Sequence, residues 1–256
     1  RSTLFPYTTL FRSQPLQDGN WKNGPDTIEW QVLEVSDGNA LLISRYGLEM
    51  KYYNKDFISV TWADCTLRKW LNQDFYIHAF DENEREQVLT SHLINDDNPD
   101  YGTAGGMETD DHVFILSYTE AMKYFKNDKD RRVKPSHKIG VTDYANNAHW
   151  IDAEGYIRWL IRTPGRIQNY VSGINSNGSI STGYFNRVSN GDTGVATAII
   201  RPAIRIELKN RQFETTDSVE KLSSEAGTPE PVITETIESE QRLRSEERRV
   251  GKECRS

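Results

Sequence analysis

The chain has 256 residues, a formal net charge of −7, 36% hydrophobic residues and two cysteines. The acidic balance argues against nucleic-acid binding, because backbone phosphates are bound by clustered Lys and Arg. No apolar run approaches the roughly 20 residues that a membrane-spanning helix needs, which argues against membrane insertion. Plentiful Gly, Asn, Ser and aromatic residues favour a mixed α+β domain with many turns.

The two ends of the chain resemble a translated sequencing adapter and its reverse complement. A codon at each position of residues 1–13, read backwards on the complementary strand, encodes the matching residue of 244–256, and all thirteen positions pair. We exclude both segments from fold prediction. Each carries a net charge of +2, so residues 14–243 carry −11 and hold Cys65 as their single cysteine. A disulfide framework and a cysteine zinc cluster are thereby excluded for this fragment, and any native signal peptide would be missing.

The first predicted elements are a hairpin and two helices. Apolar residues alternate over 27–35, Ser36-Asp37-Gly38-Asn39 is typical of a tight turn, and a second strand follows over 40–46. Five apolar residues then recur at helical spacing on one face: Leu67, Trp70, Leu71, Phe75 and Ala79. A second, shorter helix is predicted over 81–89, where Asp81 and Glu84 match a capping box.

Residues 95–111 form a predicted acidic loop that contains several glycines. Carboxylate and amide oxygens suit a hard cation such as Ca²⁺, and the candidate metal ligands are Asp96, Asp97 and Asp100. The spacing matches neither an EF-hand nor the motifs of Ca²⁺-dependent sugar-binding lectins, and the alternative is a loop that is simply solvated. We therefore expect no cofactor unless these carboxylates hold Ca²⁺.

The rest of the domain is predicted to consist mainly of strands. A short strand at 112–116 precedes a helix that opens with the capping box Ser117-x-x-Glu120, and residues 126–149 are polar and irregular. Further strands are predicted at 156–162, 169–174, 179–185 and 195–208, with Ser176-Asn177-Gly178 as a hairpin turn. Pro202 cannot donate a hydrogen bond to a strand ladder, which predicts an edge or a bulge there.

We expect the Trp159–Gly165 and Ile200–Ile206 segments to lie in one shared sheet, with the polar residues between them facing water. That stretch is rich in Asn, Ser, Gly and Tyr, which binding loops use for adaptable hydrogen bonding and rigid aromatic area. The candidate ligand-binding residues within the 166–194 surface are Asn169, Tyr170, Asn175, Asn177, Tyr184 and Asn186. The alternative is that Asn and Gly only form turns there.

Two arginines lie within predicted apolar strands. The guanidinium groups of Arg162 and Arg201 are expected to bond backbone carbonyls or a carboxylate of the acidic loop, because a buried charge must be paired. Binding of an anionic ligand is the alternative for Arg162, which is therefore included among the candidate ligand-binding residues. No catalytic residue is predicted: Cys65 has no evident base, and the five histidines lack zinc-binding spacing.

Residues 210–243 differ in composition from the rest of the chain. They hold eight Asp or Glu against three Lys or Arg, together with many Ser and Thr. Such a segment buries too little apolar surface to offset the entropy of ordering. We therefore predict one domain at residues 14–209 and a disordered acidic linker that leads to further domains of the same polypeptide.

Several short motifs occur in order between residues 26 and 208. They are Ile28-Glu29-Trp30-x-Val32-Leu33, Leu41-Leu42-Ile43-Ser44, Leu67-Arg68-x-Trp70-Leu71-Asn72, Asn95-Asp96-Asp97-Asn98-Pro99, Val113-Phe114-Ile115-Leu116-Ser117, Trp159-Leu160-x-Arg162-x-Pro164-Gly165 and Arg201-Pro202-Ala203. Together these motifs resemble a bacterial family of domains of unknown function, whose members are often modules of secreted or surface proteins.

The resemblance implies an α+β domain similar to the C-type-lectin-like fold, with mixed antiparallel sheets, two or three short helices and long loops. It also implies an extracellular or cell-surface location. The family usually has an extra strand before the first Trp, which the adapter segment would have replaced here. Formylglycine-generating enzymes share the lectin-like fold and use paired cysteines, so their activity does not carry over to a chain with Cys65 alone.

We predict a non-enzymatic recognition module of a modular bacterial surface or secreted protein, binding a glycan or a protein through residues 166–194. One alternative is an enzyme whose site lies between the acidic loop and Arg162, where Asp110, Asp111 and a histidine would gather. The other alternative is a structural spacer domain, for which dense packing without a concave polar face would be typical.

Overall fold

The computed structural model describes residues 28–136, 151–186 and 198–208, without the side chains of 184–186. All of these residues belong to one compact unit, residues 1–209, and the second unit, residues 210–256, contains none of them. The predicted adapter segments, the predicted acidic linker and the side chains of Tyr184 and Asn186 therefore lie outside the described residues.

The described part of the chain is a mixed α+β structure with short helices. Its strands are β1 (Trp30–Ser36), β2 (Asn39–Ser44), β3 (Glu49–Met50), β4 (Val88–Leu89), β5 (Ser91–Leu93), β6 (Thr109–Asp111), β7 (Val113–Phe114), β8 (Trp159–Pro164), β9 (Tyr170–Ile174), β10 (Ile180–Asn186), β11 (Ile199–Ile200) and β12 (Ala203–Glu207). Its helices are α1 (Thr66–Trp70), α2 (Tyr76–Ala79), α3 (Glu82–Arg85), α4 (Tyr118–Tyr124) and α5 (Asp128–Arg131). None of the helices in these described ranges is long and apolar enough to cross a membrane.

The predicted first helix is confirmed, with a π-helical segment, Leu71–Phe75, joining α1 to α2. Its apolar face is buried at Leu67, Leu71, Phe75 and Ala79, as the spacing predicts. The predicted second helix is too long, because α3 ends at Arg85 and β4 then pairs with β12. Strand pairing therefore overrides the local helical pattern. Helix α5 also forms within residues predicted to be irregular.

The first sheet contains the strand order β1-β2-β12-β4, and β7 also pairs with β12. The predicted hairpin of β1 and β2 is confirmed, with Ser36 opposite Asn39. Asp37 and Gly38 form its two-residue turn with φ of 51° and 74°, the positive values that such a turn requires and that Asp-Gly adopts readily.

The second sheet has the order β10-β9-β8-β11-β3. The prediction that Trp159–Gly165 and Ile200–Ile206 share one sheet is wrong. Of the two strands β11 and β12, only β11 pairs with β8, with Ile199 opposite Trp159, whereas β12 belongs to the first sheet. Because Pro202 lacks an N–H group, the ladder ends there and the chain passes between the two sheets.

Residues of both five-stranded sheets and of the helical segment from α1 to α2 form one continuous hydrophobic core. Arg201, at the crossing between the sheets, is fully buried within it. Its Nε donates to the carbonyl oxygen of Ser44 at 2.7 Å and its Nη2 to Gln31 Oε1 at 3.0 Å. The guanidinium also lies 5.4 Å from the centre of the Trp159 ring. Burial lowers the pKa of Arg201 to about 9. The predicted bond from Arg201 to a backbone carbonyl is thus confirmed.

Candidate functional site

Arg162 is buried and bonded inside the domain, and its assignment to ligand binding stays a prediction. Its side chain is only 3% exposed and forms an ion pair with Glu120. The guanidinium also donates to Asn95 Oδ1 at 3.1 Å and to the carbonyl oxygens of Ile115 and Ile94 at 2.9 and 3.2 Å. All three guanidinium nitrogens are therefore engaged inside the domain, and the carboxylate comes from α4 rather than from the acidic loop.

A bulge in β8 directs Arg162 inward. Leu160 pairs with Gly173 of β9, but the next paired residue is Pro164, so three residues of β8 face a single residue of β9. The freed backbone of Arg162 bonds elsewhere, since its N–H donates to the Leu116 carbonyl oxygen at 2.8 Å. The bulge thus joins the second sheet to the segment that precedes α4.

Asn98 fastens the acidic loop to the ends of β8 and β10. This residue is 2% exposed, and its side-chain amide donates to the carbonyl oxygens of Pro164 and Thr182 at 2.7 and 2.9 Å. Its side-chain oxygen accepts from the backbone N–H groups of Asp100 and Tyr101 at 2.9 and 3.1 Å. One buried amide therefore fixes both the position and the turn geometry of the loop.

Three loops meet at this end of the domain, and we call them the three-loop surface: residues 55–60, 97–107 and 165–170. Gln168 links all three, because its side chain donates to the Ala104 carbonyl oxygen at 3.0 Å and its own carbonyl accepts from Val60 N at 3.4 Å. Thr103 Oγ1 donates to the Arg166 carbonyl oxygen at 2.8 Å. These loops are therefore held to one another as well as to the sheet.

The three-loop surface presents apolar side chains to water. Its exposed members are Phe57 (53%), Ile58 (55%), Tyr101 (53%), Met107 (75%) and Ile167 (47%). The half-buried Tyr170 ring lies 6.1 Å from that of Phe57 in an edge-on arrangement, and the Arg166 guanidinium lies 5.9 Å from the Tyr170 ring centre. Scattered single apolar residues are ordinary on a surface, but a group gathered on fastened loops is typical of an interaction site.

The predicted 166–194 surface is divided by the fold. Asn169 and Tyr170, both half-buried, belong to the three-loop surface, whereas Asn175 and Asn177 lie at the opposite end of β9, roughly 15 Å away along the strand. Asn175 and Asn177 both bond Ser179 within the β9–β10 turn. They therefore lie apart from the three-loop surface and shape the turn, and their assignment to ligand binding stays a prediction.

The two remaining predicted residues lie on β10. Asn186 pairs with Tyr170 in the β-ladder, which brings its backbone to the end of the sheet that bears the three-loop surface. The side chains of Tyr184 and Asn186 lie outside the described residues. Their assignment to ligand binding therefore stays a prediction.

The three carboxylates proposed for Ca²⁺ have different surroundings in the loop. Asp97 Oδ1 accepts from the Gly105 N–H at 2.9 Å, Asp100 accepts from the Thr182 hydroxyl, and Asp96 is exposed. Within the part of the chain that the structure describes, no group of three or more His, Cys, Asp or Glu side chains is arranged to hold a metal ion. The bonds of Asp97 and Asp100 instead shape the loop.

Most of the residues proposed for an enzyme site between the acidic loop and Arg162 bond other groups of the domain. Asp111 is 1% exposed and accepts from Trp62 Nε1 at 2.9 Å and from Arg68 Nε at 2.7 Å. Asp110 instead contacts the exposed His92. Asp111 is nevertheless connected to Arg162, since Thr109 Oγ1 donates to Asp111 Oδ2 at 2.9 Å and accepts from Asn95 Nδ2 at 3.5 Å, and Asn95 Oδ1 accepts from Arg162 Nε. These bonds lie within the domain, and an enzyme site at this place stays a prediction.

Cys65 is buried and caps α1, with its Sγ accepting from Arg68 N at 3.4 Å. A reactive cysteine requires access and thiolate character. The position of Cys65 is that of a packed side chain at a helix start.

Phe57, Ile58 and Tyr101 were missed by sequence reasoning. The signal that could have found them is the cluster of aromatic and aliphatic residues between the first hairpin and the first helix, together with an aromatic residue inside an otherwise acidic loop. Nothing in the local pattern indicates that segments about 45 and 110 residues apart would come together.

A family model described as Domain of unknown function (DUF6273) matches residues 37–208, more than half of the chain. The matched region includes all three loops of the three-loop surface. No curated protein and no solved structure matches the chain.

Proposed function

Since the chain belongs to this family of domains of unknown function, we propose that it is a non-enzymatic recognition module. It binds a protein or a glycan through the three-loop surface rather than through a surface spanning residues 166–194. The observation that carries the proposal is the group of apolar side chains exposed on loops that Asn98 and Gln168 fasten to the sheet.

Loops that are already held in place by hydrogen bonds lose less conformational entropy when a partner binds, which supports a binding role for this surface. The side chain of Gln168 bridges two neighbouring loops, and that of Asn98 anchors the acidic loop to β8 and β10. Burying a side chain of this size contributes about 1.5–3 kcal/mol, so a few anchors at the centre of the surface are enough to dominate binding.

The proposal extends to the fold and the location of the protein. Two five-stranded sheets and the two-stranded sheet β5-β6, joined by short helices and long loops, support a C-type-lectin-like fold. The ordered sequence motifs support a place in a modular, exported bacterial protein. The lectin-like fold and the exported location are both inferred from the family resemblance, and the proposed binding does not depend on either of them.

Glycan and protein arrays probed with the 256-residue chain test the proposal. We expect replacement of Phe57 and Tyr170 together by Ala to weaken binding of the strongest array ligand about tenfold or more, because two neighbouring rings are removed. The matched control replaces Val35 and Ile77, which are 59% and 57% exposed but lie on β1 and α2, by Ala and should leave binding unchanged.

Equal losses in the two double variants, or no loss in either, would contradict the proposal. If no array ligand binds the chain at all, the structural-spacer alternative would be favoured. Circular dichroism of both variants checks that the substitutions leave the fold intact.

A further inference from the structure

We infer that the partner of the three-loop surface is a protein segment in which an apolar side chain is flanked by Lys or Arg. This inference rests on the proposed function and specifies the chemistry of the partner. It combines the exposed apolar group described above with the charge that surrounds it.

Among the described residues on and beside the three loops, exposed carboxylates outnumber exposed cations. The exposed carboxylates on and beside the loops are Asp56, Asp96, Asp97, Asp100 and Glu108. Residues 95–111 contain no Lys or Arg, and the exposed cations of the other two loops are Lys55 and Arg166. Within the described ranges, no cation is ion-paired with any of the four aspartates, although Asp97 and Asp100 accept hydrogen bonds within the domain.

This charge pattern distinguishes among the possible binding partners of the three-loop surface. A second copy of the chain would bring the same acidic surface, and residues 210–243 carry eight acidic against three basic residues, so both would be repelled. An acidic glycan would be repelled in the same way, and a neutral glycan would gain hydrogen bonds to the carboxylates but no charge attraction. A cationic protein segment satisfies both the apolar group and the charge around it.

Exposed apolar side chains together with nearby charges are typical of a protein interface. Apolar anchors at the centre provide most of the affinity, whereas charges at the rim act mainly on association rate and partner choice. Exposed charges are screened over about 10 Å at 0.1 M salt, so added salt should slow association with a cationic partner.

A displayed library of short random peptides, selected on the full chain at low salt, tests the inference. We expect the enriched peptides to combine an aromatic or aliphatic residue with several Lys or Arg. Replacing Asp56 and Asp96 by Asn should weaken the best peptide about threefold to tenfold. The matched control, Glu82→Gln with Glu86→Gln on and beside α3, removes the same charge elsewhere and should leave affinity unchanged.

A second matched pair separates failure of this inference from failure of the proposed function. Ile58→Asn acts on the three-loop surface, whereas Ile77→Asn alters an equally exposed isoleucine on α2. If enriched peptides are neutral or acidic but depend on Ile58 and not on Ile77, the cationic inference is overturned and the proposed function stands. The same holds if peptides do not enrich and a glycan binds in an Ile58-dependent way. Ligands that depend equally on both isoleucines, or on neither, overturn both.

Discussion

At the scale of single residues, Arg162 illustrates how a charge can be buried within a domain. Its charge is balanced by Glu120, whose carboxylate also accepts from Ser117 N at 2.8 Å within the capping box of α4. One carboxylate therefore caps a helix and neutralises an arginine from the second sheet. Removing Glu120 would leave Arg162 buried without its counter-charge, and removing Arg162 would leave a carboxylate that is only 25% exposed without its partner.

We expect Arg162→Ala to lower the free energy of unfolding by about 3–5 kcal/mol, the usual cost of breaking a buried pair. Urea denaturation followed by circular dichroism measures the change. Arg45→Ala is the matched control, because Arg45 forms an ion pair with Glu29 in which the side chains are 44% and 38% exposed. That substitution should cost less than about 1 kcal/mol. Similar costs for the two variants would contradict the structural role assigned to Arg162.

His92 provides a prediction about pH. It lies on β5 between Asp110 and Glu108, at 2.9 and 3.1 Å, and hydrogen bonds to these carboxylates raise the pKa of the imidazole. NMR titration should therefore give a pKa above the ordinary value of about 6.5, and Asp110→Asn should lower it. A pKa at or below the ordinary value, or one that Asp110→Asn does not change, would contradict this contact.

The sign of the linked stability follows from the raised pKa. The protonated imidazole is favoured in the folded state, so its contribution to stability is fully present below the unfolded pKa of about 6.5. That contribution is lost as the pH rises through the higher folded pKa of His92. The group is exposed, so the effect on the whole domain is small.

At the scale of elements, turns and helix starts were predicted correctly from neighbouring residues, whereas the sheet to which the last strand belongs was not. The Asp37-Gly38 turn and the capping boxes of α3 and α4 are confirmed, because each depends on residues within four positions of one another. The division of the last predicted strand into β11 and β12 could not be foreseen. Pro202 indicates an interruption, but the choice of a second sheet depends on β2 being available as a partner.

The acidic loop gives a prediction at the same scale. A Cβ atom on Gly105 would overlap the Asn95 carbonyl oxygen, which is backbone and cannot move aside alone. We expect Gly105→Ala to lower the free energy of unfolding by about 1–3 kcal/mol, measured by thermal or urea denaturation. Gly183→Ala is the matched control, since its Cβ would meet only the Tyr101 hydroxyl, at 3.6 Å. Tolerance of Gly105→Ala, or an equal cost for Gly183→Ala, would contradict this loop packing.

At the scale of the whole molecule, the candidate site was predictable only in part. Tyr170 and Asn169 were identified from composition, because binding-loop residues are concentrated in that stretch. Phe57 and Tyr101 join them only through folding, which brings three loops distant in sequence to one end of the second sheet. Composition alone also placed Asn177 in the site, since turn-forming and ligand-binding residues are of the same types.

Hydrogen exchange of the full chain, with and without the strongest binder from the arrays, tests the central claim most directly. The recognition surface assigned above predicts slower exchange in residues 55–60, 97–107 and 165–170, with no change at the β9–β10 turn, residues 175–179. Protection confined to that turn, or to segments outside the three loops, would contradict the assignment of the three-loop surface as the binding surface.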